Sequence, residues 1–149
     1  MKFRLRVDYA SRRSAPSRAA IGRWARAALG NWRRSSVSLG VRVVNGAESA
    51  GLNTRYRGRR KPTNVLAFPF VPPAGVRADM LGDLVICAPV VNREAAAQGK
   101  AVAAHWAHMV VHGVLHLRGY DHHTRADATA MERRETAVLR RLGFPDPYL

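Results

Sequence analysis

The sequence predicts one domain of the α/β (α+β) class, with a small mixed β-sheet of about four strands covered by helices. Three observations lead to this prediction. The chain has 149 residues, the size of one domain. Short segments with strand-like patterns are interspersed with longer segments of helical periodicity. The chain shows neither internal repeats, low-complexity tracts nor linkers, so we expect residues 1–149 to form a single domain.

The amino-terminal part is predicted to hold two strands, each followed by a helix. The first strand is expected to be half-buried because its residues alternate in polarity with a period of two. The first helix carries an apolar stripe and ends at Gly30, and an Asn45-Gly46 turn follows the second strand. The predicted elements are a strand at 2–9, a helix at 16–29, a strand at 35–44 and a helix at 47–56.

The remainder is predicted to contain two strands and three helices. A basic loop at 57–62 precedes them. Thr124 and Asp127 form a start signal that resembles a capping box for the last helix, and Gly143 ends it. The predicted elements are a strand at 64–68, a proline-rich loop at 69–79, a strand at 81–87 and helices at 90–98, 100–117 and 124–142.

The net charge of +15 predicts a polyanionic partner, and RNA is the most common one in the cytoplasm. A GC-rich genome that encodes arginine in place of lysine explains the type of cation, but not the excess of 25 cations over 10 acids. The single cysteine, Cys87, excludes an intrachain disulfide and favours a reducing cytoplasm. We find neither a secretory signal nor a membrane span, and expect no membrane partner.

Histidines spaced along one helix face predict a metal site. His112 and His116 stand at i and i+4, and Gly119 ends the helix so that the chain folds back to present His122. Three neutral imidazoles suit zinc and leave a fourth position open, as catalytic zinc requires. His105 and His108 lie on the same helix face and are alternative ligands, or else lie one and two turns further along the groove, where they either support the ligands or contact RNA.

Gly113 and Asp121, which lie near these histidines in the sequence, bear on the chemistry of the predicted metal site. The spacing resembles that of metzincin proteases, but Gly113 occupies the position where H-E-x-x-H enzymes carry their glutamate base. This departure disfavours peptide hydrolysis. Asp121 is predicted either to orient a ligand by accepting its free ring N–H or only to form the Gly-Tyr-Asp turn. His123 is expected to be exposed.

The segment HGVLHLRGYDH, residues 112–122, resembles the signature of the YbeY family, bacterial endoribonucleases also described as rRNA maturation factors. Three further blocks agree with this family and extend the resemblance from about residue 53 to the C-terminus. They are residues 56–58 with 61–70, residues 81–87, and residues 142–144 with 146–148. One departure is Ala67, where the family commonly has serine.

The resemblance implies a zinc-dependent endoribonuclease that acts on single strands, with one Zn²⁺ per chain. It places His112, His116 and His122 at the zinc positions and Arg57 at the position of the functional, catalytic arginine. It also implies cytoplasmic roles in 16S rRNA 3′-end maturation and ribosome quality control. The expected partners are the rRNA precursor and the small ribosomal subunit, with ribosomal proteins or an assembly GTPase as further candidates.

The sequence leaves the chemistry and two rival functions open. Water attack would leave a 5′-phosphate, whereas attack by the 2′-hydroxyl would leave a cyclic phosphate, and no general base is assigned. Arg55, Arg59 and Arg60 are expected to position the RNA backbone, or else to form a solvated basic loop. The main rival is a non-catalytic RNA-binding ribosome-assembly factor with a structural zinc. The other is a metal-dependent hydrolase of peptides or small molecules.

Overall fold

Four strands and five helices occur in the predicted order within the residues that the computed structural model describes, 1–11, 14–32, 34–75 and 79–149. The strands are β1 (Lys2–Tyr9), β2 (Ser36–Val44), β3 (Val65–Pro69) and β4 (Met80–Cys87). The helices are α1 (Arg18–Leu29), α2 (Gly46–Arg57), α3 (Ala88–Ala97), α4 (Val102–Leu117) and α5 (Arg125–Arg141). Residues 76–78 of the predicted loop at 69–79 lie outside the described residues.

The strands form one mixed sheet in the order β1-β2-β4-β3. β1, β2 and β4 are parallel, and β3 pairs antiparallel with β4. This arrangement confirms the predicted four-stranded mixed sheet. On the edge strand β1, exposed and half-buried residues alternate along the whole length, as the period of two predicts.

The two faces of the sheet are covered by different helices. The larger hydrophobic core packs one face against α1, α4 and α5. Alternate residues of β4 divide between the two faces: Leu84 and Ile86 lie in this core, whereas Val85 and Cys87 lie in a smaller one under Leu52 of α2. Among the described residues, no helix is long and apolar enough to span a membrane.

Most element boundaries differ from the predicted ones by one or two residues. α3 begins at Ala88, two residues early, because Pro89 is tolerated in the first turn of a helix. The start of α5 is capped as predicted, since the Thr124 side chain accepts a hydrogen bond from the Asp127 backbone N–H at 3.0 Å. α2 extends one residue further than predicted, so Arg57 belongs to its last turn and not to the basic loop.

Candidate metal centre

The end of α4 and the turn after it bring three histidines together, as the sequence predicts. His112 and His116 lie on the last two turns of α4. Gly119 has a φ of +104°, a left-handed conformation that glycine adopts without strain, and the chain reverses there. The His122 ring is therefore placed with its centroid 6.2 Å from the ring centroid of His112 and 6.2 Å from that of His116.

Asp121 lies near two of these histidines. His116, Asp121 and His122 each offer a ligand atom, and these atoms all lie within 4.8 Å of one another, whereas His112 is not part of this tight cluster. Asp121 has the predicted turn-forming role as well, because its Oδ1 accepts a hydrogen bond from the His122 backbone N–H at 2.7 Å. Its Oδ2 lies 3.0 Å from Nε2 of His123, whose side chain is exposed as expected. The carboxylate is thus a candidate ligand rather than only a second-layer acceptor.

The chemistry of these side chains fits a divalent metal ion. Imidazole nitrogens with an optional carboxylate oxygen are a common donor set for zinc. A histidine must be neutral to bind a metal. Burial, and then the proximity of His112, lower the pKa of His116, so its ring is neutral at physiological pH.

A buried carboxylate that the sequence analysis missed supports His112 from behind. Glu135 of α5 is 1% exposed, and its Oε1 lies 2.9 Å from His112 Nδ1 and 3.2 Å from His108 Nε2. The Tyr148 hydroxyl donates a hydrogen bond to its Oε2 at 2.6 Å. Although burial by itself raises the pKa of Glu135, the hydrogen bonds from His108, His112 and Tyr148 lower it to about 2.

The Glu135 contact determines which nitrogen of His112 is available to a ligand. An ionised carboxylate only accepts hydrogen bonds, so His112 Nδ1 carries the hydrogen that it donates to Glu135. The lone pair of the neutral ring is then on Nε2. A carboxylate behind a metal-binding histidine commonly fixes the ring in this way.

The alternative ligands, His105 and His108, make other contacts. Both are buried, at 3% and 8% exposure. His105 Nε2 lies 2.9 Å from Glu94 Oε1, and His108 contacts Glu135 as described. Neither lines the cavity that contains His112, His116 and His122. His108 therefore lies behind the site, where its ring contacts Glu135 and is largely shielded from solvent.

A cavity of about 360 Å³ opens in front of the histidines. His112, His116 and His122 line it together with Arg57 and residues of β3. Arg57, His112 and His122 also line a neighbouring cavity of similar size, which reaches Tyr148. The structure thus places the predicted arginine beside the predicted metal ligands.

The remaining predicted cations are exposed and close to Arg57 in the chain. These residues, Arg55, Arg59 and Arg60, are not among those that line the cavity. The loop that carries Arg59 and Arg60 is held by α2: the Asn53 side chain donates to the Lys61 carbonyl at 2.7 Å, and the Arg59 backbone N–H donates to the Asn53 carbonyl at 3.3 Å.

Two small residues shape the cavity. A Cβ on Gly113 would lie 2.6 Å from Leu84 Cδ2, so the absence of a glutamate here reflects the close packing of α4 on β4. Ala67, the departure from the family pattern, lines the cavity. A serine hydroxyl at that position would therefore face the candidate site.

One feature of the sequence could have identified Glu135 as a functional residue. The residue lies on the buried side of α5, where Met131, Val138 and Leu139 repeat at helical spacing. A lone acid within an apolar stripe needs a buried partner, and four histidines were available. Which histidines it contacts depends on how α5 packs on α4, and that packing is a tertiary property.

The comparisons with known proteins agree with the resemblance. Residues 9–143 match the family described as "Endoribonuclease YbeY". A protein of that name from Methylococcus capsulatus is 58% identical over 144 residues, which are 97% of this chain and 94% of the relative. One from Alteromonas mediterranea is 51% identical over 133 residues, 89% and 84% of the two chains.

A solved structure supports the fold. The solution structure of TM1509 from Thermotoga maritima is similar with a TM-score of 0.59 and 22% sequence identity. The match covers 93% of this chain and 91% of that one.

Proposed function

The chain belongs to the YbeY family of endoribonucleases, and from this premise we propose that it is a zinc-dependent enzyme that cleaves single-stranded RNA. The proposed role is in 16S rRNA 3′-end maturation and ribosome quality control in the cytoplasm. One observation carries the proposal: Arg57 lines the same cavity as His112, His116 and His122. A cation and a candidate metal centre that face one cavity suit the two charged oxygens of a phosphodiester.

In this proposal His112, His116 and His122 hold the zinc and leave a coordination position open for water or phosphate. The Asp121 carboxylate lies beside the ligand atoms of His116 and His122. The bound metal would supply a Lewis acid for the phosphate and lower the pKa of a water. Glu135 holds His112 with Nε2 free for the metal. Arg57 clamps the scissile phosphate and offsets the negative charge that develops in the transition state.

The proposed partners follow from charge and from the family. The net charge of +15 favours the rRNA precursor and the small ribosomal subunit as partners. We include ribosomal proteins or an assembly GTPase as further candidates. The exposed residues Arg55, Arg59 and Arg60 are assigned to RNA backbone contacts that carry no sequence information.

The test is cleavage of a precursor 16S 3′-end RNA by identically purified wild type, His116→Ala and Arg57→Ala. We expect cleavage to be abolished by His116→Ala and to fall about 100-fold or more with Arg57→Ala, as is typical when one charge-stabilising group is lost. The matched control is Arg23→Ala, which removes an exposed arginine from α1 and should cleave like wild type. Mapping the new ends distinguishes water attack from attack by the 2′-hydroxyl.

Equal cleavage by all four proteins would contradict the proposal, because the activity would then come from a contaminating nuclease. RNA binding that persists without metal, together with no mutant-sensitive cleavage, would favour the non-catalytic assembly factor. Circular dichroism of each variant checks that a lost activity does not reflect lost folding.

A further inference from the structure

We propose that Tyr56 forms a nucleobase subsite beside the candidate metal centre, in which its ring stacks on a base of single-stranded RNA. The inference deepens the proposed function and rests on it. It assigns a residue that neither the metal chemistry nor the phosphate clamp uses.

The exposure of Tyr56 is not explained by the fold. The residue is 60% exposed, although it carries a large aromatic ring. In the described part of the chain its hydroxyl has no hydrogen-bond partner. Its ring does contact Phe68 of β3, edge to face, with the centroids 5.1 Å apart and the planes at 71°. This contact orients the ring but leaves most of it in solvent, as a preformed stacking surface requires.

Tyr56 lines two cavities. One contains the three histidines, and the other, of about 330 Å³, is also lined by Phe68. The second cavity is lined by two arginines that are paired with three acids, Arg6 with Asp8 and Asp83, and Arg42 with Glu48. A base on the Tyr56 ring is therefore placed on the side of the histidine cavity, where Arg57 is the charged neighbour.

The charges on the side of the histidine cavity favour RNA rather than protein as the occupant. Arg57 follows Tyr56 directly and lines the same cavity. No acidic residue occurs between positions 49 and 78, whereas five cations occur between 55 and 61: Arg55, Arg57, Arg59, Arg60 and Lys61. Bases stack on an aromatic face, and the phosphates between them pair with cations. Proteins commonly bind single-stranded RNA through these two kinds of contact.

The experiment uses a short single-stranded 2′-O-methyl RNA, chosen to limit cleavage, with the fluorescent base 2-aminopurine at one position at a time. Stacking quenches this base, so wild type should quench it at one or two positions. Tyr56→Ala should lose the quenching and bind about tenfold more weakly, within the usual range for one stacked base. Tyr56→Phe should keep both, because the ring and not the hydroxyl carries the interaction.

An abasic site at the quenched position separates stacking from an indirect effect. Wild type should lose about tenfold in affinity for the abasic RNA, and Tyr56→Ala should lose nothing more. The matched control is Phe70→Ala, an aromatic that is 46% exposed and outside the cavity lining, and it should bind like wild type.

Three results would overturn the subsite. Equal affinity and quenching in wild type and Tyr56→Ala would remove it directly. An abasic penalty that stays the same in Tyr56→Ala would mean that Tyr56 and the base do not touch, and a protein-binding role would then replace the proposal. If wild type binds no RNA at all, the proposed function fails together with the subsite, a result distinct from a failure confined to Tyr56.

Discussion

A single buried carboxylate organises the residues behind the candidate metal centre. Glu135 is 1% exposed, and His108, His112 and the Tyr148 hydroxyl all lie within hydrogen-bonding distance of it. Burying a charge is costly unless every oxygen is satisfied, and these three groups satisfy both oxygens. The contact with Glu135 also affects Tyr148. Burial and the adjacent Glu135 carboxylate raise the pKa of the Tyr148 hydroxyl.

We predict that Glu135→Gln weakens zinc binding by about 10- to 100-fold, the usual cost of losing a carboxylate behind a metal-binding histidine. The amide keeps the shape but removes the charge that holds the hydrogen on His112 Nδ1. Zinc affinity is measured by competition with a chromophoric chelator at neutral pH. The His112 tautomer is followed separately by ¹⁵N NMR.

The matched control for this prediction is Asp127→Asn. It removes one negative charge from the same helix at an exposed position. If both variants lost the same affinity, the general charge of α5 and not the Glu135 contact would be responsible. Wild-type affinity in Glu135→Gln would contradict the positioning role outright.

The sequence was informative about the residues whose spacing is local. His112 and His116 are related by one helical turn, and Gly119 signals the reversal that returns His122. Glu135 and Tyr148 lie 23 and 36 positions beyond His112, and no local periodicity relates them to it. Their contacts depend on the packing of α5 and the C-terminal residues against α4.

Among the elements of the fold, helix α2 positions Tyr56 and Arg57 at the cavity. Its first turn is fixed by two contacts: the Asn45 side chain accepts a hydrogen bond from the Glu48 N–H at 3.0 Å, and Arg42 of β2 contacts Glu48 at 2.6 and 3.0 Å. Because these contacts hold the first turn of this 12-residue helix, they also set the position of its last turn, which carries Tyr56 and Arg57. The sequence predicted this helix within one residue at each end, but its Arg42 partner lies on a different element.

We predict that Glu48→Gln destabilises the protein by at most about 1 kcal/mol at pH 7, because the pair is partly exposed. The hydrogen bond from Arg42 is the main cause that lowers the pKa of Glu48, and burial opposes it. Because the pKa of Glu48 is lower in the folded state, the ion pair stabilises the protein fully above the ordinary value of 4.5, and this stabilisation decreases as the pH falls through the folded-state pKa. Urea unfolding should therefore show a larger difference between wild type and Glu48→Gln at pH 7 than at pH 3.

A double-mutant cycle with Arg42→Gln identifies the source of the effect. The coupling free energy between positions 42 and 48 should be smaller at pH 3 than at pH 7. A stability difference that stays constant with pH would show that helix propensity, and not the ion pair, accounts for the change.

The excess of cations extends over the whole molecule, and part of it is concentrated in one loop. The chain carries 25 Lys and Arg against 10 Asp and Glu, so any polyanion is attracted. The fold fixes the basic loop after α2, since Asn53 and Thr54 hold the backbone of Arg59 and Lys61. The charge predicted a nucleic-acid partner, but the position of Arg57 at the cavity depends on tertiary contacts such as that of Tyr56 in α2 with Phe68 in β3.

We predict that the triple variant Arg59→Ala, Arg60→Ala, Lys61→Ala binds single-stranded RNA with a weaker salt dependence. Each phosphate contact contributes about 0.7 to the slope of log affinity against log salt for single strands, so the slope should fall by about 2. A matched variant, Arg23→Ala, Arg140→Ala, Arg141→Ala, removes the same charge from exposed positions on α1 and α5 and should change the slope little. Because both variants lower the net charge from +15 to +12, equal slopes would mean that RNA responds to total charge and that the loop forms no localised contact.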